Sequence, residues 1–302
     1  MKRWWTYQQE RFPLAAHGPL IAAFSLSAVC FSRLLRGGTG WPPAATAAVA
    51  FALALFAFLH LRVADEFKDR EEDARYRPYR PVPRGLVSLR ELGWVWAITA
   101  AVQLALAFEL APRLGWVLLV TWGYLALMSR EFFLPVWLRA RPVAYLATHM
   151  LILPLIDFCA TACDWAGAGA AVPAGLAWFL AASLGNGIVI ELGRKIRAPE
   201  REEEGVPTYS KLWGPRRAAA IWLAMMLLTA VCAGMAARRI DFVPAVTVVL
   251  AGIWLAAVAV AGRFAIRLAP AGGRRLEVMS GAWTLGLYLV LGIVPMAVKT
   301  WS

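Results

Sequence analysis

A dense run of charged residues follows the second long apolar segment of the chain. It reads Asp65-Glu66-Phe67-Lys68-Asp69-Arg70-Glu71-Glu72-Asp73. The aspartates recur every four residues, so on a helix they lie along one stripe. Like charges this close repel each other unless a cation lies between them. Three carboxylates on one stripe suit a hard divalent ion such as Mg²⁺, which takes oxygen ligands and usually keeps a substrate phosphate as a partner.

A stretch rich in proline and arginine comes next, with the sequence Arg77-Pro78-Tyr79-Arg80-Pro81-Val82-Pro83-Arg84-Gly85. Proline ends a helix because it cannot donate the helical hydrogen bond, and it also restricts the residue before it. The three arginines are therefore held in a stiff, extended segment, and guanidinium groups bind phosphate oxygens in pairs. The pattern predicts a diphosphate cradle. The alternative is a solvated loop in which Arg62 and Lys68 pair with the acids.

A second polar loop begins at the end of the sixth apolar segment. Glu191 is a lone carboxylate at the end of an apolar helix, where an ionisable residue often has a function. Lys195 lies one helical turn later and can pair with it. An acidic run follows at 200–204, in which Glu202 and Glu204 are expected to be solvated.

The composition excludes a soluble globular protein, since 60% of the 302 residues are hydrophobic and only 17% are charged. Nine apolar segments each approach the roughly 20 residues that cross a bilayer. Backbone groups must be paired in lipid, so the segments should be helices. We expect an all-α integral membrane protein with one domain over 1–302. Its nine predicted transmembrane helices lie near 14–33, 44–64, 92–112, 115–138, 143–163, 170–191, 218–237, 241–262 and 279–299.

The basic residues predict the orientation. With the N-terminus in the cytoplasm, 25 of the 31 Lys and Arg residues fall on the cytoplasmic side. Such an excess is the usual positive-inside signal, so both polar loops should be cytoplasmic. We expect the membrane to be the cytoplasmic membrane of a bacterium. The net charge of +12 points to anionic lipid headgroups and an anionic substrate rather than nucleic acid. No protein partner can be inferred.

These motifs resemble those of the UbiA superfamily of intramembrane prenyltransferases. That family carries Asn-Asp-x-x-Asp-x-x-x-Asp and then an Arg-Pro-x-Arg-Pro-x-Pro run after its second helix. Here Asp65 and Glu66 replace the first two residues of the motif. The family's second acidic motif follows the sixth helix, and its tail is matched by Gly205, Thr208 and Gly214. Lys195 departs from the pattern, because a second carboxylate would be expected there.

The resemblance implies a fold and a chemistry. Nine helices would surround a central lipid-open cavity, with cytoplasmic caps formed by the loops after helices 2 and 6. Two Mg²⁺ ions would bind the diphosphate of an isoprenyl donor, whose allylic carbon–oxygen bond ionises before a lipophilic acceptor is alkylated. The implied metal ligands are Asp65, Glu66, Asp69, Asp73, Glu191 and Glu203. The implied diphosphate-binding residues are Arg62, Lys68, Arg77, Arg80, Arg84, Arg130 and Arg194.

The implied catalytic residues are Asp65, Asp69, Asp73, Glu191 and Lys195. For Lys195 our hypothesis is that its ammonium partly replaces the charge of the second metal or contacts the diphosphate. Two other functions are compatible with the sequence. A terpene cyclase of the same superfamily would let the donor's own double bonds attack the cation. A transporter or lipid carrier would move its substrate without releasing diphosphate, although transporter sites usually lie near the bilayer midplane.

Overall fold

The computed structural model describes residues 2–301, which form fifteen α-helices and no β-strand. The first seven helices are α1 (Lys2–Arg11), α2 (Leu14–Leu35), α3 (Ala44–Lys68), α4 (Arg70–Tyr76), α5 (Leu89–Leu110), α6 (Pro112–Ser129) and α7 (Pro135–Arg139). The remaining eight are α8 (Pro142–Met150), α9 (Ile152–Trp165), α10 (Leu176–Arg194), α11 (Tyr209–Trp213), α12 (Pro215–Arg238), α13 (Val243–Arg267), α14 (Pro270–Tyr288) and α15 (Val294–Trp301).

Eight helical stretches within residues 2–301 are long and apolar enough to cross a membrane. The chain is therefore a multi-pass integral membrane protein. Two of these stretches join consecutive helices, α8 with α9 and α14 with α15. Each of the eight overlaps one of the nine segments predicted from the sequence.

The remaining predicted segment, 115–138, does not form one continuous helix. It covers α6, which ends at Ser129. A 3₁₀ turn at Glu131–Phe133 follows, and all three of its residues have φ between 51° and 59°. Non-glycine residues rarely adopt this left-handed conformation. The helix is therefore interrupted before α7, and a ninth span remains a prediction.

The first of two compact units comprises Pro42–Pro142 and Ile156–Val172, together with the N-terminal residues up to Val29. Small side chains at Ala50, Ala107 and Ala162 are fully buried in its core, as expected where membrane helices approach closely. The polar side chain of Gln103 is also buried there. Its Nε2 donates to the carbonyl of Leu53 at 2.7 Å, and its Oε1 accepts from Trp122, so both polar ends are satisfied.

The second unit comprises Cys30–Trp41, Val143–Leu155 and the residues from Pro173 onward. Its centre is the packing of α10 against α12 and α14. Gly193 permits this packing, because a Cβ at that position would lie 2.0 Å from the Oγ of Ser280. The same hydroxyl accepts a hydrogen bond from Nε1 of Trp222 at 2.9 Å. The single domain expected from the sequence remains a prediction.

Candidate active site

Helices α3 and α4 meet at Asp69, in the middle of the first acidic motif. Asp69 is the single residue between the two helices, where it is the C-cap of α3 and the N-cap of α4, with φ −89° and ψ 9°. Helical hydrogen bonds nevertheless cross the junction. The amide of Asp69 donates to the carbonyl of Asp65, and that of Asp73 to the carbonyl of Asp69, both at 2.8 Å. The three aspartates therefore follow one another at intervals of one helical turn.

Asp69 is half-buried, and its carboxylate forms no hydrogen bond or ion pair with another side chain of residues 2–301. Burial, together with the neighbouring carboxylates of Asp65, Asp73 and Glu72, raises the pKa of Asp69 to about 6, although the charge of Lys68 opposes this shift. A cation beside Asp69 would relieve this repulsion. The position thus combines an available oxygen ligand with an excess of negative charge.

Asp73 is buried and holds two arginines of the proline-rich loop. Its Oδ1 lies 2.9 Å from Nη1 of Arg77. Nη1 of Arg80 lies 2.8 Å from Oδ1 and 2.7 Å from Oδ2. Hydrogen bonds between charged groups are stronger than neutral ones, so Asp73 fixes both guanidinium groups.

Two basic residues of α3, Lys68 and Arg62, also have acidic partners. Lys68 Nζ lies 2.5 Å from Oε1 of the buried Glu131, in the left-handed turn after α6. Arg62 reaches Asp65 only at 3.5 Å. The alternative in which Arg62 and Lys68 pair with the acids is therefore realised only in part. Arg62 makes a long contact with Asp65, and Lys68 pairs with Glu131 while its charge also lowers the pKa of Asp69. The neighbouring Arg130 caps α6 and is exposed.

Two predicted site residues contact the N-terminal helix α1. Glu66 is buried and pairs with Arg11, and Arg84 pairs with Glu10 at 2.8 Å. The sequence analysis missed Arg11 and Glu10. No local pattern marks them, because they lie 55 and 74 residues from their partners.

The residues of the first motif fit Mg²⁺ by type and by charge. Aspartate oxygens are its preferred protein ligands, and a cation would offset the burial and the nearby carboxylates that raise the pKa of Asp69. Within residues 2–301, however, no three His, Cys, Asp or Glu side chains are already assembled as a metal site. Asp73 would have to give up an arginine contact to become a ligand. Otherwise it acts through the arginines that it holds.

In the second unit, Glu191 lies near the C-terminal end of α10 with two basic partners. Its Oε1 lies 2.9 Å from Nζ of Lys195, and its Oε2 lies 2.5 Å from Nη2 of Arg194. The expected pair between Glu191 and Lys195 is therefore formed. Lys195 caps the helix, and its carbonyl accepts from the amide of Tyr209. This contact ties the end of α10 to the start of α11.

The loop between α10 and α11 is organised around Glu202, contrary to the expectation that this residue is solvated. The hydroxyl of Thr208 donates to both of its carboxylate oxygens at 2.8 Å, and that of Ser210 donates to Oε1 at 2.6 Å. Glu203, a predicted metal ligand, instead pairs with Arg197 at 2.9 Å. Gly214 has φ +80° and ψ 147°, a conformation that favours glycine, and it leads into α12.

Comparison with known proteins reveals the family and the fold. The model of the UbiA prenyltransferase family matches residues 25–269. The structure is similar to a UbiA homolog from Aeropyrum pernix K1, with a TM-score of 0.67, 17% identity and coverage of 93% of this chain and 98% of that one. It is also similar to a digeranylgeranylglyceryl phosphate synthase, with a TM-score of 0.64, 13% identity and full coverage of both chains.

A UbiA homolog from Archaeoglobus fulgidus, solved with GPP and Mg²⁺, matches with a TM-score of 0.50 and 15% identity, covering 94% of this chain and 99% of that one. A sequence search of curated proteins finds no match.

Proposed function

This chain belongs to the UbiA prenyltransferase family, and we propose that it transfers a prenyl group from an isoprenyl diphosphate to a lipophilic acceptor within the membrane. The observation that carries this proposal is Asp69. It is a half-buried carboxylate with no ion-pair partner among residues 2–301, other acids lie close to it, and only the short helix α4 separates it from a loop of ordered arginines. That combination suits a donor that brings both a cation and a diphosphate.

Asp65 and Asp69 are the proposed ligands for Mg²⁺ in the first motif, whereas Asp73, also predicted as a ligand, is proposed to act through the two arginines that it holds. A similar structure solved with GPP and Mg²⁺ supports the choice of metal. When bound, Mg²⁺ neutralises the diphosphate and makes it a better leaving group. Asp65 is half-exposed and has only a 3.5 Å contact with Arg62, and Asp69 is half-buried, so both carboxylates are accessible to a metal ion. Glu191 and Glu203 remain proposed ligands, each with a basic partner in this structure, whereas the predicted ligand Glu66 is buried in its pair with Arg11.

The basic residues stabilise the charge that develops on the leaving diphosphate. Arg77 and Arg80 are oriented by Asp73, so little conformational entropy is lost when they bind phosphate oxygens. Lys68, Arg62, Arg84 and Arg130 add positive charge to the same unit. Lys195 and Arg194 are the proposed diphosphate contacts of the second motif, and Glu191 holds both.

The reaction breaks the bond between the allylic carbon and the diphosphate oxygen, and the electron pair leaves with the diphosphate. An electron pair of the acceptor then forms a bond to that carbon, and the acceptor loses a proton. The proposal includes the lipid-open cavity and its two cytoplasmic caps. It also includes a cytoplasmic N-terminus in a bacterial cytoplasmic membrane.

The test is an assay of the purified protein in detergent with geranyl, farnesyl and geranylgeranyl diphosphate, Mg²⁺ and a lipid extract. Diphosphate release is measured, and products are extracted for mass spectrometry. A prenylated lipid supports the transferase. A cyclised product from the donor alone would instead identify a terpene cyclase. Donor transport into vesicles without diphosphate release would favour the transporter.

A further inference from the structure

The N-terminal helix α1 lies outside residues 25–269, which match the family model, yet it contacts the first acidic motif. Arg11 pairs with Glu66, next to Asp65. Glu10 pairs with Arg84, at the far end of the arginine-proline loop. One short helix thus contacts both the start of the acidic motif and the end of the arginine-proline loop.

The apolar side of α1 is anchored to the same segments. Tyr7 is 4% exposed and packs with Val63, Val87 and Leu92. Val63 lies on α3 just before the acidic motif, whereas Val87 and Leu92 lie just after the loop. Arg3 adds an exposed ion pair with Glu91 in the first turn of α5. These contacts hold the start and the end of the loop together through α1.

The contact between Arg11 and Glu66 differs from the other two ion pairs of α1 because it is buried. The side chains of Arg11 and Glu66 are 10% and 1% exposed, whereas those of Arg84 and Glu10 are 36% and 38% exposed. Exposed pairs contribute little to stability, but removing one partner of a buried pair leaves a costly charge behind. Arg11 is therefore the most important polar contact of α1.

We propose that α1 is a brace that positions the metal- and diphosphate-binding motif, with Arg11 and Glu10 as positioning residues. In this assignment, which rests on the proposed function, Glu66 anchors the brace and is not a ligand of Mg²⁺. Asp65 and Asp69 are then the carboxylates of the first motif that are available to Mg²⁺, while Asp73 orients Arg77 and Arg80. The brace keeps Asp65 and Arg84 in register across the loop between them.

The test compares Arg11→Ala and Arg11→Lys with the exchanged pair Arg11→Glu/Glu66→Arg. Lys2→Ala is the matched control, since it also removes one positive charge from α1 and Lys2 has no ion pair among the described residues. The rate of amide hydrogen exchange over residues 65–85 measures how firmly α1 holds this segment, and it can be measured even in an inactive protein. The Mg²⁺ concentration that gives half-maximal diphosphate release reports the site.

We expect Arg11→Ala to speed exchange over 65–85 and to raise the half-saturating Mg²⁺ concentration about five- to thirty-fold. In Arg11→Lys and in the exchanged pair, the exchange rate and the Mg²⁺ dependence should return most of the way to those of the wild type. Lys2→Ala should change neither quantity. Unchanged exchange and Mg²⁺ dependence in Arg11→Ala would overturn the brace. So would a Glu66→Gln protein that loses its Mg²⁺ response while Arg11→Ala keeps it, because Glu66 would then be a ligand.

The two proposals can fail separately. If the wild-type protein releases no diphosphate with any donor, the proposed function fails, while hydrogen exchange still decides whether α1 braces the motif. If the wild-type protein is active and exchange over 65–85 is the same in all variants, only the brace fails.

Discussion

Nη1 of Arg80 lies within 2.8 Å of both carboxylate oxygens of Asp73, and Nη1 of Arg77 lies 2.9 Å from Oδ1 of the same carboxylate. Asp73 is nearly inaccessible to solvent. The acidic motif and the arginine loop are therefore one connected structure, in which an aspartate orients the guanidinium groups that would meet a diphosphate.

Replacing Asp73 should disturb donor binding more than metal binding. In Asp73→Asn the two arginines lose their carboxylate, so we expect a stability loss of about 2–4 kcal/mol. The KM for the donor should rise several-fold, because the guanidinium groups are no longer oriented. The half-saturating Mg²⁺ concentration should stay near that of the wild type. A rise confined to Mg²⁺ would instead show that Asp73 acts as a ligand.

Ionisation of Asp69 should contribute to the pH dependence of the protein's stability. Its pKa is raised from 3.8 to about 6, so the folded protein binds this proton more tightly than the unfolded chain does. Asp69 therefore lowers the stability of the metal-free protein as the pH rises from about 4 to about 6. Asp69→Asn should remove this contribution and melt at a higher temperature than the wild type near neutral pH.

Thermal unfolding in detergent with a chelator measures this effect. In the wild type, Mg²⁺ should stabilise the protein above about pH 6 and lose its effect below it, since the ligand must be deprotonated. Equal melting temperatures of wild type and Asp69→Asn at neutral pH, without metal, would contradict the prediction.

The contact between Lys68 and Glu131 should behave as a coupled buried pair. Lys68→Ala removes the ammonium group that lies 2.5 Å from a buried carboxylate. We therefore expect the free energy of unfolding to fall by about 3 kcal/mol. Adding Glu131→Gln should restore part of that stability, because the buried charge is removed as well. A double-mutant cycle by thermal or denaturant unfolding gives the coupling. Additive losses would show that the two residues act independently.

The packing of α10 against α14 should be sensitive to a single methyl group. Gly193→Ala would place Cβ 2.0 Å from Oγ of Ser280 and disturb its hydrogen bond with Trp222, so we expect a loss of about 1–3 kcal/mol. Gly281→Ala on α14 is the matched control, since a Cβ there meets no atom within 4 Å. It should be neutral or slightly stabilising, since alanine favours the helix. Equal melting temperatures of Gly193→Ala and Gly281→Ala would contradict the close approach of α10 to α14 at Gly193.

Local patterns predicted much of this molecule. Apolar runs predicted the helices, because hydropathy and helix length are properties of contiguous residues. The pair between Glu191 and Lys195 was predicted from a spacing of one turn and is present. Membership of the family, suggested by the first acidic motif, is confirmed by the match over residues 25–269.

Contacts between segments that are distant in the sequence could not be predicted from local patterns. The partners of Glu66 and Lys68 lie 55 and 63 residues away and are chosen by tertiary packing. The expectation that Glu202 is solvated was wrong because Thr208 and Ser210 fold back to donate to it. Likewise, hydropathy over 115–138 did not reveal the left-handed turn that ends α6.

The most direct test of the account is Mg²⁺-dependent diphosphate release by three proteins: the wild type, Asp69→Asn and Glu71→Gln. Both variants remove one carboxylate from the same motif, but Glu71 is exposed and is not assigned to the site. We expect the wild type and Glu71→Gln to release diphosphate only when Mg²⁺ is present. In Asp69→Asn the rate of release should fall about 100-fold or more. Equal release by wild type and Asp69→Asn, or release that needs no divalent ion, would contradict it.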